Sequence, residues 1–305
     1  MKPISAIRGV IADMVFLEVI IEGLAIGTIY SGLALALVLI YRTTGVINFA
    51  QGEMGMFCTF VVWWLSQRGL SIYAAIVLGL VFAFVLGMAV ERIVIRPIGR
   101  FGEFPTAITT LGLFLVFNEL APWIWGTENR AFPSLFGRGA LSIGGLVVAV
   151  DTLGTLVTMT LAAAAFFVML RFTKLGLAMR AAAANPVSSG LVGIPVSRVV
   201  MLGWGFATVL ACLAASLIAP RLMLDSNLML SVIVYALAAA ALGGFQSLFG
   251  AVIGGLFIGV AENLAANFVD VIGADLKIIV PLALIVLVLV FRPTGLFGRP
   301  EERRV

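Results

Sequence analysis

The sequence predicts an all-α polytopic membrane protein, a bundle of about eight to ten membrane segments with broken or re-entrant helices and a weak internal repeat. Three observations carry this. The 305 residues are 62% hydrophobic and only 11% charged, with a mean hydropathy of +1.17, whereas an ordinary soluble domain is roughly 45–50% apolar and about 25% charged. Apolar runs reach membrane length, about 20 residues, again and again. The basic residues fall in the short connections between those runs, where they set topology, so the net charge of +4 is no nucleic-acid footprint.

Breaks at charges, Gly and Pro place spans near 24–41, 47–66, 71–91, 104–125, 152–171, 199–220, 229–246, 250–268 and 277–291. An amphipathic piece, 10–23, is positioned to extend the first span. Asp13, Glu18 and Glu22 interrupt it and no small-residue cleavage site follows, so these residues are expected to stay in the mature chain. Arg42, Arg92, Arg96, Arg100, Arg171, Lys174, Arg180, Arg198, Arg292, Arg299, Arg303 and Arg304 fall on one side, which the positive-inside rule makes cytoplasmic. That orientation puts the C-terminus and the 292–305 tail in the cytoplasm. On the other side Glu128, Asp225, Asp270 and Asp275 offset Arg130, Arg138 and Arg221; Lys2 and Arg8 argue against the external N-terminus that an odd span count requires. The whole chain, 1–305, reads as a single transmembrane domain with a cytoplasmic loop at 174–198 and an external hairpin at 127–150.

Some chemistry is excluded. There is no histidine, which removes the commonest general base and metal ligand, and no metal site is expected. Cys58 and Cys212 lie inside apolar spans, where they read as small buried hydrophobes; a disulfide needs both on one oxidising face. No GxxxxGK[ST] phosphate loop is present, so ATP chemistry would belong to another subunit.

Five motifs then line up in order: IYRTTGVINFAQGEMGMF (40–57), ERIVIRPIGR (91–100), GLAMRAAAANPVSSGLVGIPVSRV (176–199), ALGGFQSLFGAVIGGLFIGVAE (241–262) and RPTGLFGRPE (292–301). From about Gly23 to the end, the chain resembles the permease subunits of branched-chain amino-acid ABC importers, specifically the H-type (LivH-like) subunit. NFAQGE and RPTGLFGRPE are its more specific signals. The resemblance implies a multi-pass protein of the bacterial inner membrane that binds no cofactor itself. It also implies a hetero-dimer with an M-type paralogue, two ATPase subunits that use ATP and Mg, and a periplasmic substrate-binding protein.

Within 174–198, Leu175–Ala184 would extend the preceding span as a helix, favoured by its Ala run. Asn185 as cap and Pro186 at the first position suit the start of a second helix, about 186–192; Gly193 stops it and Pro195 forbids continuation. Leu191 and Val192 are left available to a partner. By the resemblance this is the coupling helix that rests in a groove of the ATPase, with Arg180, Asn185, Pro186, Leu191, Val192, Gly193, Ile194 and Pro195 as its residues; the bland alternative is a connector between spans. The chain departs from its relatives in carrying Ala184 where an acidic residue is common. Gly190 inside so short a helix costs roughly 1 kcal/mol relative to Ala.

Asn48, Gln51 and Glu53 put three hydrogen-bonding side chains within six residues near a membrane boundary. They read as a broken helix beside a translocation pathway, with Glu53 holding a neighbouring segment, or as an interfacial helix start capped by Asn48. Asn118, Glu119 and Gln246 are further pathway candidates, and Glu262 with Asn263 either joins them or sits at an external interface. Gly250/Gly254 and Gly255/Gly259 are small-xxx-small pairs, serving helix packing within the subunit or at a dimer interface. GGFQSLFG faintly echoes GVINFAQGEMG; as an internal repeat, the two breaks would meet near a pseudo-twofold axis. The hairpin is a landing surface for a binding protein, or a plain loop. Two readings compete with the importer permease: an ion-coupled secondary carrier, for which Glu119 is the main candidate site, and a purely structural membrane subunit.

Overall fold

The computed structural model describes residues 2–298 apart from 138, 144, 270–272, 274, 275 and 293. Arg138, Asp270, Asp275, Arg299, Arg303 and Arg304, which entered the charge count above, lie outside the described residues. The described chain runs α1 (Lys2–Thr44), α2 (Gln51–Gln67), α3 (Ile72–Val90), a π turn (Glu91–Ile95), α4 (Arg96–Gly99), α5 (Glu103–Trp125), strands β1 (Ala140–Ile143) and β2 (Leu146–Ala149), and α6 (Val150–Phe172). It continues through α7 (Lys174–Ala184), α8 (Pro186–Leu191), α9 (Val196–Leu222), α10 (Leu228–Gly243), α11 (Leu248–Phe268) and α12 (Ile279–Phe291). Six of these helices are long and apolar enough to cross a membrane, and α10 and α12 are shorter apolar helices. The chain is an all-α polytopic membrane protein, and among the described residues one small β-hairpin, β1–β2, lies within the segment read from the sequence as an external hairpin.

Helices α1 and α9 form the centre. Ile29, Leu33, Leu35 and Leu37 on α1 and Trp204, Ala211, Cys212 and Ala215 on α9 are almost wholly buried. In contrast α3, α5, α6 and α12 turn Val77, Val81, Ile108, Leu115, Leu161 and Val290 outward, as lipid-facing helices do once every backbone group is satisfied within the helix. Helix α1 is one unbroken rod, so the 10–23 piece does extend the first span. At 43 residues it is about 64 Å long, well beyond a hydrocarbon core of about 30 Å. Its N-terminal half passes the hairpin, where Val147 N donates to Glu18 Oε1 at 2.8 Å.

Close backbone approach fixes the α1–α11 crossing. A Cβ at Gly259 would sit 2.4 Å from Gly27 Cα and 2.5 Å from Gly23 O, and one at Gly255 2.4 Å from Ser31 N. Ser31 Oγ donates to Val252 O at 2.7 Å across the same seam. Gly250 and Gly254 meet α10 instead, against Gly243 O and Ala239 O. Cys58 and Cys212 are buried free thiols.

The bundle has two distinct ends. At one, the last turn of α1, the start of α5, α7 and the 244–247 turn gather Arg42, Glu103, Arg180 and Gln246 around a shared cavity. At the other, the hairpin is held by Tyr73 OH donating to Leu135 O at 2.8 Å and Ser134 Oγ donating to Asp151 Oδ1 at 2.7 Å. Asp151 also pairs with Arg221 at 3.2 Å, and Arg130 and Leu224 exchange backbone hydrogen bonds at 2.9 Å.

Candidate translocation and coupling sites

The chain enters α2 by an irregular segment inside the bundle. Thr110 Oγ1 lies 3.3 Å from Ile47 O, and Asn118 Nδ2 lies 3.4 Å from Glu53 Oε2. From the start of α5 at Glu103 these contacts stand about 10 and about 22 Å along that helix. Helix α2 therefore begins well inside the membrane. Asn48, Gln51 and Glu53 are all buried, so this is no interfacial helix start. Asn48 is also not the cap: Ala50 holds that position with no side-chain bond. Asn48 Oδ1 instead accepts from Ala50 N at 3.1 Å, and its Nδ2 donates to Gln51 Oε1 at 2.8 Å.

A second helix start meets the first. Asn118 Nδ2 also donates to Ser226 O at 2.8 Å, so one side chain ties Glu53 on α2 to the turn that opens α10. A Cβ on Gly52 would lie 3.2 Å from Met229 Cβ, which brings the two helix beginnings together. The deep partner of the 45–50 break is thus the 223–227 turn. The 244–247 turn lies beside Tyr41 at the Arg42 end, with the Tyr41 and Phe245 rings 5.2 Å apart, and Gln246 lines the cavity there with Arg42 and Arg180.

Neighbouring residues of α5 separate. Asn118 turns inward, while Glu119 is exposed on the outer face with no hydrogen bond or ion pair among the described residues. Successive helical residues point about 100° apart, so the two cannot share one polar site. We expect Asn118→Leu, which leaves Ser226 O and the Glu53 carboxylate without their donor, to destabilise the chain by about 3 kcal/mol. Glu119→Leu, which removes no contact within the described chain, should not destabilise it. Thermal unfolding of both variants in detergent measures the contrast.

Glu262 is buried. It accepts from Tyr30 OH at 2.8 Å and faces Lys277 Nζ at 3.4 Å, pinning α1, α11 and the approach to α12 together. Asn263 Nδ2 donates to Val19 O at 2.8 Å.

The segment between α6 and α9 is exposed at the Arg42 end. Contrary to the expected extension of the preceding span, α7 is a separate helix. Thr173 takes an extended conformation and its Oγ1 caps α7 by accepting from Gly176 N at 3.1 Å. Gly176 packs directly on the Leu170 backbone, so the chain doubles back there. Asn185 Oδ1 then caps α8 by accepting from Ser188 N at 2.9 Å, with Pro186 in the first turn. Gly193 ends α8 at φ +85°. Its N–H bonds Gly190 O at 3.1 Å and Ile194 N–H bonds Ser189 O at 3.0 Å, the paired closure that a left-handed residue permits.

On this six-residue helix only Ser189 is buried; Val187, Leu191 and the C-cap Val192 are 75%, 84% and 77% exposed. The segment neither tucks among the spans nor reaches the hairpin end.

A further anchor escaped the sequence reading. Arg96 makes a two-point bond to the buried Glu91 carboxylate, at 3.1 and 2.7 Å, and its Nη2 also donates to Ser197 O at 2.9 Å. The pair is five residues apart, which an α-turn would splay and the π turn at Glu91–Ile95 brings together. It joins the end of α3 to the root of α9, directly after the exposed segment.

A bundle with a broken helix start at mid-depth and a capped, exposed apolar helix at one end is the architecture of a transport permease. The sequence model of the family described as "Branched-chain amino acid transport system / permease component" matches residues 19–289, and the chain belongs to that family. The high-affinity branched-chain amino acid transport system permease protein BraD of Pseudomonas aeruginosa is 29% identical, covering 95% of this chain and 98% of its own. LivH of Escherichia coli K12 gives the same identity and coverage. The xylose/arabinose import permease protein XylH of Sulfolobus acidocaldarius is 31% identical over 50% of this chain and 43% of its own. Among solved structures, PsaBC from Streptococcus pneumoniae in complex with Fab superposes with a TM-score of 0.47 at 12% identity, covering 92% and 95% of the two chains. Family membership favours an importer permease over the ion-coupled carrier.

Proposed function

We propose that this chain is one permease subunit of an ATP-binding-cassette importer that moves branched-chain or related amino acids from the periplasm to the cytoplasm. The observation that carries the reading is α8. Val187 and Leu191 on this short helix and Val192 at its C-cap are all exposed, and the helix is capped at both ends. Exposed apolar groups so placed call for a protein partner. The segment lies at the end rich in arginine, which the positive-inside rule assigns to the cytoplasm, where paired ATPase subunits would bind and use ATP with Mg. The chain itself is non-catalytic on this reading.

Substrate would arrive on a periplasmic binding protein seated on the hairpin end. The paired helix starts at Gln51 and Leu228 give a place where the passage can open and close without unwinding a long helix. An M-type second permease would cover the outer face of α5. Glu119 supports that placement, because a carboxylate on the exposed face of a span is costly against lipid unless protein or water meets it.

Reconstitution tests the whole. Proteoliposomes holding this chain, its paralogue and the ATPase subunits, supplied with the loaded binding protein, should accumulate leucine, isoleucine or valine only with hydrolysable ATP. Uptake that persists without the ATPase subunits would overturn the proposal.

A further inference from the structure

Helices α6 and α11 both lie on α1 and leave a cleft between them. Its deep part is an apolar groove of about 250 Å³, floored by Thr28 and Ser31 and walled by Met159, Ala163, Val252 and Leu256. At the basic end of the bundle it meets a cavity of about 840 Å³ lined by Arg42, Arg171 and Arg180. Phe167 and Phe249 line both spaces, so the two adjoin.

Among the described residues the charges of this mouth are unbalanced. Arg42 makes no hydrogen bond or ion pair among the described residues. Arg180 donates to two carbonyls, Gly176 O at 3.4 Å and Arg171 O at 3.2 Å. Arg171 lies over its neighbour's ring, 5.8 Å from the Phe172 centroid. Glu103 lines the adjoining cavity with Arg42 and Arg180 yet stands beyond ion-pair distance of both. Three guanidinium groups around one cavity favour an anion with several acceptor oxygens.

The geometry points to a binding site for a phospholipid with a net negative headgroup. Its phosphate meets Arg42 and Arg180, and one acyl chain lies in the groove between α6 and α11. A free anion would use the mouth and leave the groove unfilled; a neutral lipid would use the groove and leave the charges unmet. Only an anionic amphiphile answers both, and basic clefts between spans at the cytoplasmic face suit such headgroups. Because Arg180 stands on α7, a bound headgroup would brace α7 against α1 and steady the α8 segment that follows it.

The site is independent of the transported solute, so its test is a binding measurement. The full chain, in whatever assembly it purifies with, is placed in nanodiscs of phosphatidylcholine mixed with phosphatidylglycerol, and retained lipid is read by native mass spectrometry. Phosphatidylglycerol should be kept in preference to phosphatidylcholine. Arg42→Gln and Arg180→Gln should each weaken that preference by about fivefold. Ala164→Trp, which fills the groove, should lower retention of both lipids and leave the headgroup preference intact. Equal retention of the two lipids would overturn the proposal. So would displacement of phosphatidylglycerol by inorganic phosphate with Ala164→Trp inert, which would mark a free-anion site. Should Arg42→Gln fail to fold, Arg180→Gln, on an exposed face of α7, carries the charge test alone.

Discussion

Replacing Leu191 by Asp should abolish ATP-driven transport while leaving the permease folded. Leu191 is 84% exposed on α8 and adds no packing within the chain, so the substitution removes nothing that the fold depends on. In the assembly the same side chain would enter an apolar groove of the ATPase, where a carboxylate must lose its water with no partner to replace it. Truncating a central contact of this kind costs about 2–4 kcal/mol, which weakens ATPase binding by about thirtyfold or more. Co-purification of the ATPase subunits and ATP-dependent uptake in vesicles measure the two consequences. Leu191→Met, which keeps the apolar contact, should preserve both. A Leu191→Asp permease that still binds its ATPase and transports would show that α8 is only a connector.

The second large effect lies in the α1–α11 seam. Gly259→Val should remove the folded protein from the membrane. The added carbon would meet Gly27 Cα, Gly27 N and Gly23 O within 2.5 Å, and all of these are backbone atoms with no side chain to swing aside. Relief requires the two helices to separate, which breaks the Ser31–Val252 bond and the paired approach at Gly255. Overpacking usually costs about 1–3 kcal/mol, and here the upper limit is the starting point because two main chains must move. A fall in melting temperature, or loss of full-length protein from the membrane fraction, is the readout. Gly190→Val is the matched control, since no atom lies within 4 Å of a Cβ there.

How much of this was legible in the sequence follows from what a membrane demands. Apolar run length is a strong signal, and the spans read near 71–91, 104–125 and 250–268 lie within two residues of α3, α5 and α11 at each end. The α8 segment was equally readable, because Asn-Pro and Gly carry defined backbone geometry at a helix start and stop. Which side of a span faces inward was not. Lipid is as apolar as a protein core, so the 3.6-residue alternation that betrays a buried face in water is lost. Asn118 and Glu119 therefore looked like one polar site, although one is inside and the other outside. Glu91 and Arg96 escaped because a spacing of five matches no α-helical neighbour. Gly255 and Gly259 were visible as a small-residue pair, but their partners Gly23, Gly27 and Ser31 were not, since nothing local links two segments more than 200 residues apart in the chain.

Labelling of a Val192→Cys permease with a membrane-impermeant thiol reagent tests the coupling account most directly. The two native cysteines are buried, so the new thiol at a 77% exposed position dominates the signal. Reaction is predicted in inside-out vesicles and not in intact spheroplasts, and assembly with the ATPase subunits should block it. Labelling from the outer face, or labelling from the inner face at an unchanged rate with the ATPase subunits bound, would contradict a permease driven through α8.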